Sequence, residues 1–282
     1  MNDIISQLKF IKIGGSMMDL SKKAKINGIF LLVTLVTNAM GAFGWISGLT
    51  QKDISDMYVT LITPAPATFS IWSVIYSLLI ISIIVMIVKK DDLYYKSAVG
   101  EVSTLFRISC VLNIAWIVSF SFIWLGVSTI LIFALVITLS LISQKLYKIQ
   151  QKNRLLLPLT FGLYTGWLFI ATVVNVAAWL VKLEWGGFGL PYEVWAGIIL
   201  IVAVFLTLTV LLQTRNSVFP LPIAWAYFGI YNFLVSPEGF QGRHGFLQII
   251  ALIGLVALVG IAAMQLYRNH YEILPIHSSD QH

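Results

Sequence analysis

Phe69, Trp72 and Tyr76 recur at spacings of three and four in a run that opens behind Pro64 and Pro66, and residues so spaced share one face of a helix. Asn113, Trp116 and Phe120 repeat the idea further along the chain, and Tyr164, Trp167, Ala171, Asn175 and Trp179 extend it. Each four-residue step drifts by about 40° round a helix, so the last stripe stays on one broad side. Side chains of these types bind rather than react. Ring faces of Trp and Tyr offer stacking area at low entropy cost, an amide or hydroxyl fixes orientation, and the small Ala171 leaves room between large rings. The same faces also serve to pack helices together, and amides within apolar runs, here Asn38, Asn113, Asn175 and Asn232, also serve as interhelical hydrogen bonds.

Acid–base, nucleophilic and metal chemistry find little to work with. His244, His270, His277 and His282 fall in loops or the tail, so no haem or metal ligand of the histidine type is available at membrane depth. No Asp or Glu lies inside an apolar run, and Arg107 is near enough to the start of one to snorkel to the headgroups. Ser109, Ser119, Ser121 and Ser128 have no basic partner at a suggestive position, which leaves acyl transfer unsupported. Proton-coupled transport and intramembrane metalloproteolysis need ionisable groups that these runs do not contain. The single cysteine, Cys110, allows neither an internal disulfide nor a cysteine-based metal site and reads as a small packing residue.

The elements that must position these residues are transmembrane helices. Of the 282 residues, 59% are apolar and 11% charged, and mean hydropathy is +0.89, whereas a soluble domain is about 45–50% apolar and about 25% charged. The chain is an all-α polytopic membrane protein. Apolar runs fall at about 26–46, 66–88, 104–123, 126–146, 155–181, 194–213, 217–235 and 246–267. A run of about 18 residues or more crosses a hydrocarbon core of about 30 Å, so the reading is eight spans. The third and fourth meet in a tight turn near Trp124 to Gly126. The first, with its basic flank and small residues near Ala39 to Ala42, also fits a cleavable signal peptide, but its apolar character continues through Phe43 and Trp45, which favours retention. The chain then divides into a basic leader over 1–25 with a Gly14-Gly15 break, a five-span bundle over 26–182, three further spans over 183–268 and a tail over 269–282.

Charge sets the topology. The formal balance is +6, but the basic residues sit between apolar runs, where they orient spans and meet anionic headgroups, and no nucleic-acid partner is inferred. Lys9, Lys12, Lys22, Lys23 and Lys25 precede the first span; Lys89, Lys90 and Lys96 follow the second; Lys145, Lys148, Lys152 and Arg154 follow the fourth. These ends are expected in the cytoplasm, and an even number of spans returns the C-terminus to the same side, most simply of the plasma membrane. Trp124, Trp185 and Trp195 lie near span ends, as an interfacial belt requires.

Taken in order, these motifs resemble the tryptophan-rich sensory protein family, also called translocator proteins or TspO/MBR. A proline-containing loop followed by an aromatic pattern in the second helix corresponds to Phe69, Trp72 and Tyr76; the third-helix pattern to Leu112, Asn113 and Trp116; the fifth-helix pattern to Tyr164, Trp167, Leu168, Ala171, Thr172, Asn175 and Trp179. The resemblance covers roughly residues 26–182. It implies a five-helix bundle with a cavity for porphyrins, other tetrapyrroles, sterols or similar flat lipophilic ligands, and often a homodimer. The cavity residues it implies are Phe69, Trp72, Tyr76, Asn113, Trp116, Tyr164, Trp167, Ala171 and Asn175, beneath a first loop holding Tyr58, Pro64 and Pro66. That loop lacks the family's tryptophans, and the last three spans have no counterpart in five-span members. Pro220, Pro222, Trp225 and Tyr231 echo the order Pro64, Pro66, Trp72 and Tyr76, but the spacings differ and no repeat is inferred.

The function expected is binding or sensing of a flat lipophilic ligand in the bilayer, with no required cofactor and any porphyrin held without axial histidine. A permease for a lipophilic substrate is the alternative, and an enzyme that degrades a bound porphyrin ranks below both. The order Leu141, Tyr147, Lys152 also meets a loose sterol-contact pattern, which an ordinary span end produces as well.

Overall fold

The computed structural model describes residues 2–276, with side chains from Leu20 onward; Met1 and the end of the tail, with His277 and His282, lie outside the described residues. Nine α-helices are described: α1 (Asn2–Ala42), α2 (Gln51–Met57), α3 (Ile71–Val88), α4 (Leu93–Ser121), α5 (Leu125–Lys148), α6 (Leu156–Lys182), α7 (Tyr192–Thr214), α8 (Pro220–Val235) and α9 (Gly245–Arg268). A 3-10 turn, Pro66–Ser70, leads into α3. No strand occurs among the described residues. Long apolar side chains such as Ile130, Phe133, Leu212 and Val256 point outward, as they do where lipid is the solvent and every backbone polar group must be satisfied within the helix.

Seven helices are long and apolar enough to cross a membrane, beginning with Leu20–Ala42 of α1. The eighth expected span is shorter. α8 has 16 residues, about 24 Å at 1.5 Å per residue, against a core of about 30 Å. Prolines cut it at both ends: Pro220 and Pro222 open its first turn, where a missing N–H costs nothing, and Ser236 turns extended (φ −67°, ψ 151°) because Pro237 follows it. Two other boundaries differ from expectation. The leader backbone is continuous with the first span, so Gly14-Gly15 does not break α1. α4 starts well before residue 104, because Asp92 caps it by accepting from the Tyr94 and Tyr95 N–H groups at 2.9 and 3.4 Å.

The helices beyond residue 182 share a wall with the earlier ones. Gly162 and Gly166, one turn apart on α6, leave no room for a Cβ: one would meet Asn216 and Val218, the other Phe219 and Pro222. Small residues at this spacing let helices approach closely in a membrane. Asn216 Nδ2 then donates to the Pro158 carbonyl at 2.8 Å, fixing the start of α8 to the start of α6.

Candidate functional site

Ring contacts converge on Trp72, in the first turn of α3. It stacks on Tyr76 at 4.9 Å, tilts against Trp116 of α4 at 6.3 Å, and meets Tyr164 and Trp167 of α6 edge-on at 6.2 Å each. Phe69 meets Trp167 edge-on at 5.9 Å. All are offset or T-shaped separations that the ring quadrupole favours. Beside these rings lies a cavity of about 400 Å³, whose wall includes Phe69, Trp72, Trp116, Trp167, Ala171 and Asn175. Tyr58, Pro64 and Pro66 of the first loop line it too.

Tyr76, Asn113 and Tyr164 are not part of that lining. Each lies one turn from a lining tryptophan, towards the same end of the bundle: Tyr76 beyond Trp72, Asn113 beyond Trp116, Tyr164 beyond Trp167. There they form a polar floor with Asn38 of α1. Tyr76 OH donates to Asn38 Oδ1 at 2.6 Å, Asn38 Nδ2 to Asn113 Oδ1 at 2.6 Å, and Asn113 Nδ2 to Tyr164 OH at 2.9 Å. Four helices are thus tied by three bonds in series, which satisfies polar groups that would be costly to bury unpaired.

Two polar atoms of the cavity wall are less committed. Trp167 is only 2% exposed, and its Nε1 has no hydrogen-bond partner. Asn175 spends its amide N–H groups on α5, donating to Thr129 Oγ1 at 2.6 Å and Ser128 Oγ at 3.0 Å. Its Oδ1 receives only long bonds, from Trp116 Nε1 and Ser128 Oγ at 3.4 Å each, where hydrogen bonds are weak. Trp179, at the end of the α6 stripe, packs on Gly126 of α5 instead.

The mouth is built by α2 and the proline loop. Thr50 caps α2 reciprocally: its hydroxyl accepts from Asp53 N at 3.0 Å and its N–H donates to Asp53 Oδ2 at 2.8 Å. Gln51, Lys52, Ser55 and Asp56 then face the opening. Lys52 pairs with Asp56 one turn on, and that hydrogen bond, followed by the Asp56 charge, raises the ammonium above its ordinary pKa. The loop behind is fastened to α8. Ala65 N donates to the Gly229 carbonyl at 2.9 Å and Trp225 Nε1 to the Thr68 carbonyl at 2.8 Å, while Ala226 and Phe233 of the same helix complete the cavity wall.

Neither α2 nor α8 is marked as part of the site by the sequence alone. The Thr50-x-x-Asp53 capping box was the available signal for α2. Nothing local marks Ala226 or Phe233, because their place depends on α8 docking against the 3-10 turn.

An all-helical polytopic membrane protein with an aromatic cavity under a proline loop is the class that fold and site define. The model of one family, described as TSPO-like protein, matches residues 24–266, and the chain belongs to that family. The match runs through α7, α8 and most of α9, beyond residue 182 where the motif resemblance stops. No curated protein and no solved structure matches the chain.

Proposed function

We propose that this protein is a membrane receptor that binds a flat lipophilic ligand, a porphyrin or other tetrapyrrole being the leading class, among Trp72, Trp116 and Trp167. The observation that carries this reading is the cavity lined by Phe69, Trp72, Trp116 and Trp167, with an under-satisfied polar atom on each of two lining residues: a buried Trp167 Nε1 without an acceptor and an Asn175 Oδ1 held only at 3.4 Å. A planar molecule carrying both an acceptor and an N–H donor answers both while its faces meet the rings. The cavity of about 400 Å³ falls in the usual range for small-molecule sites, about 300–1,000 Å³. A free-base tetrapyrrole needs no axial ligand in such a site, and the wall supplies no histidine.

Binding is favoured over conduction through the bundle because the Tyr76–Asn38–Asn113–Tyr164 floor lies between the cavity and the far side. On the lysine distribution, that far side faces the cytoplasm. The test is titration of the purified protein with protoporphyrin IX, followed by tryptophan quenching, with Trp72→Ala, Trp167→Phe and Asn175→Ala made singly. Saturable binding weakened by these changes is expected; saturable binding indifferent to all three contradicts the site.

A further inference from the structure

A second cavity, of about 370 Å³, opens at the other end of the bundle, between the Leu20–Lys25 part of α1, the end of α3 and the start of α4. Its polar rim carries Lys22, Lys25, Lys90 and Lys96 against one carboxylate, Asp91. None of these four lysines has an ion-pair partner among the described residues. The neighbouring carboxylate that could neutralise them is engaged elsewhere: Asp92 is held by Arg154 at 2.9 Å and accepts from the first N–H groups of α4. The floor of the same cavity is apolar, formed by Leu20, Met86 and Val99. Four like charges gathered round a single carboxylate repel one another, so an anion entering here relieves that repulsion as well as gaining its own attraction.

The geometry points to a binding site for a phosphate-bearing anion, the headgroup of an anionic phospholipid whose chains continue over the apolar floor. The site lies at the lysine-rich end of the spans, where basic pockets between helices meet anionic headgroups and each lysine near the surface contributes appreciably to their attraction. Its chemistry is separate from that of the aromatic cavity, since Lys90 and Lys96 stand at the opposite ends of α3 and α4 from Trp72 and Trp116.

The experiment uses the full chain in neutral detergent. Retention of phosphatidylglycerol and phosphatidylcholine is read by native mass spectrometry, and thermal unfolding is followed with each lipid and with inorganic phosphate. Retention of phosphatidylglycerol over phosphatidylcholine is expected. Stabilisation by inorganic phosphate as great as that by the lipid would assign the site to a free phosphate compound; stabilisation by the lipid alone assigns it to the headgroup. Replacing Lys22, Lys25 and Lys96 by Gln weakens retention by about tenfold or more, whereas Lys145, Lys148 and Lys152→Gln, which removes the same charge from the same end, leaves it largely intact. Asp91→Asn, which threatens no packing, tightens retention. Equal losses in the two triple variants, or no preference for the anionic lipid together with no response to phosphate, overturn the site.

Discussion

Asn38 and Asn113, on α1 and α4, share a hydrogen bond of 2.6 Å at the centre of the bundle, and Tyr76 and Tyr164 bind to its two ends. The bond is one of the buried side-chain hydrogen bonds between these helices, another running from Asn27 Nδ2 to Ser103 Oγ at 2.8 Å. It also separates the aromatic cavity from the lysine-rich end. Asn113→Ala leaves the buried Tyr164 OH without its partner and Asn38 Nδ2 with the Thr34 carbonyl alone, at a cost of about 1–3 kcal/mol. Thermal unfolding in detergent should show that loss, and Tyr164→Phe should then cost markedly less in the Asn113→Ala background than it does alone, because the bond it breaks is already gone.

Gly229 sits where the side chain of Thr68 presses on α8, leaving no space for a methyl group. Gly229→Ala therefore displaces the 3-10 turn that carries Phe69 to the cavity, with a strain of about 1–3 kcal/mol. Protoporphyrin IX affinity should fall in this variant and recover when Thr68→Ala is added. Gly254→Ala, which crowds Tyr227 at the α8–α9 contact instead, should lower stability without recovery by Thr68→Ala.

Trp167 separates stacking from hydrogen bonding. Trp167→Phe keeps an aromatic ring but removes the uncommitted N–H, so ligands bearing an acceptor should lose about tenfold in affinity, the worth of one net hydrogen bond of about 1.4 kcal/mol. Isosteric ligands without the acceptor should lose much less. Equal losses for both ligand types would assign Trp167 to packing alone.

The aromatic wall was legible because its residues lie at helical spacing within single runs: Trp72 with Phe69, Trp116 with Asn113, Ala171 with Trp167 and Asn175. The division of these residues between lining and floor was not, since a shift of one turn along a helix keeps the same face and changes only depth. Asn38 was visible as an amide in an apolar run, but its role depends on groups from α3, α4 and α6 meeting it. Trp225 reaches a carbonyl 157 positions away, a relationship that no local pattern encodes. The start of α4 was hidden for another reason: Lys96 and Glu101 lower the hydropathy of its first turns although Asp92 already caps them into helix.

The mouth should respond to acid. Hydrogen bonds from Thr50 hold the Asp53 carboxyl below its ordinary pKa of 3.8. A depressed pKa stabilises the folded cap fully above that value and loses the contribution as pH falls through the lower one. Ligand dissociation, followed by recovery of tryptophan fluorescence, should therefore speed up as the pH is lowered through this range. Asp53→Asn should be fast at neutral pH and show less of the acid dependence.

The most direct test of the central claim is to identify what the cavity holds in the membrane where the protein resides. The protein is purified from that membrane, its bound small molecules are extracted and identified by mass spectrometry, and an Ala171→Phe variant is treated identically, since Phe at this position fills the space between Trp167 and Asn175. A flat polycyclic compound that accompanies the original protein and is lost from the filled variant is expected. The same set of molecules from both, or none of planar lipophilic character from either, would contradict it.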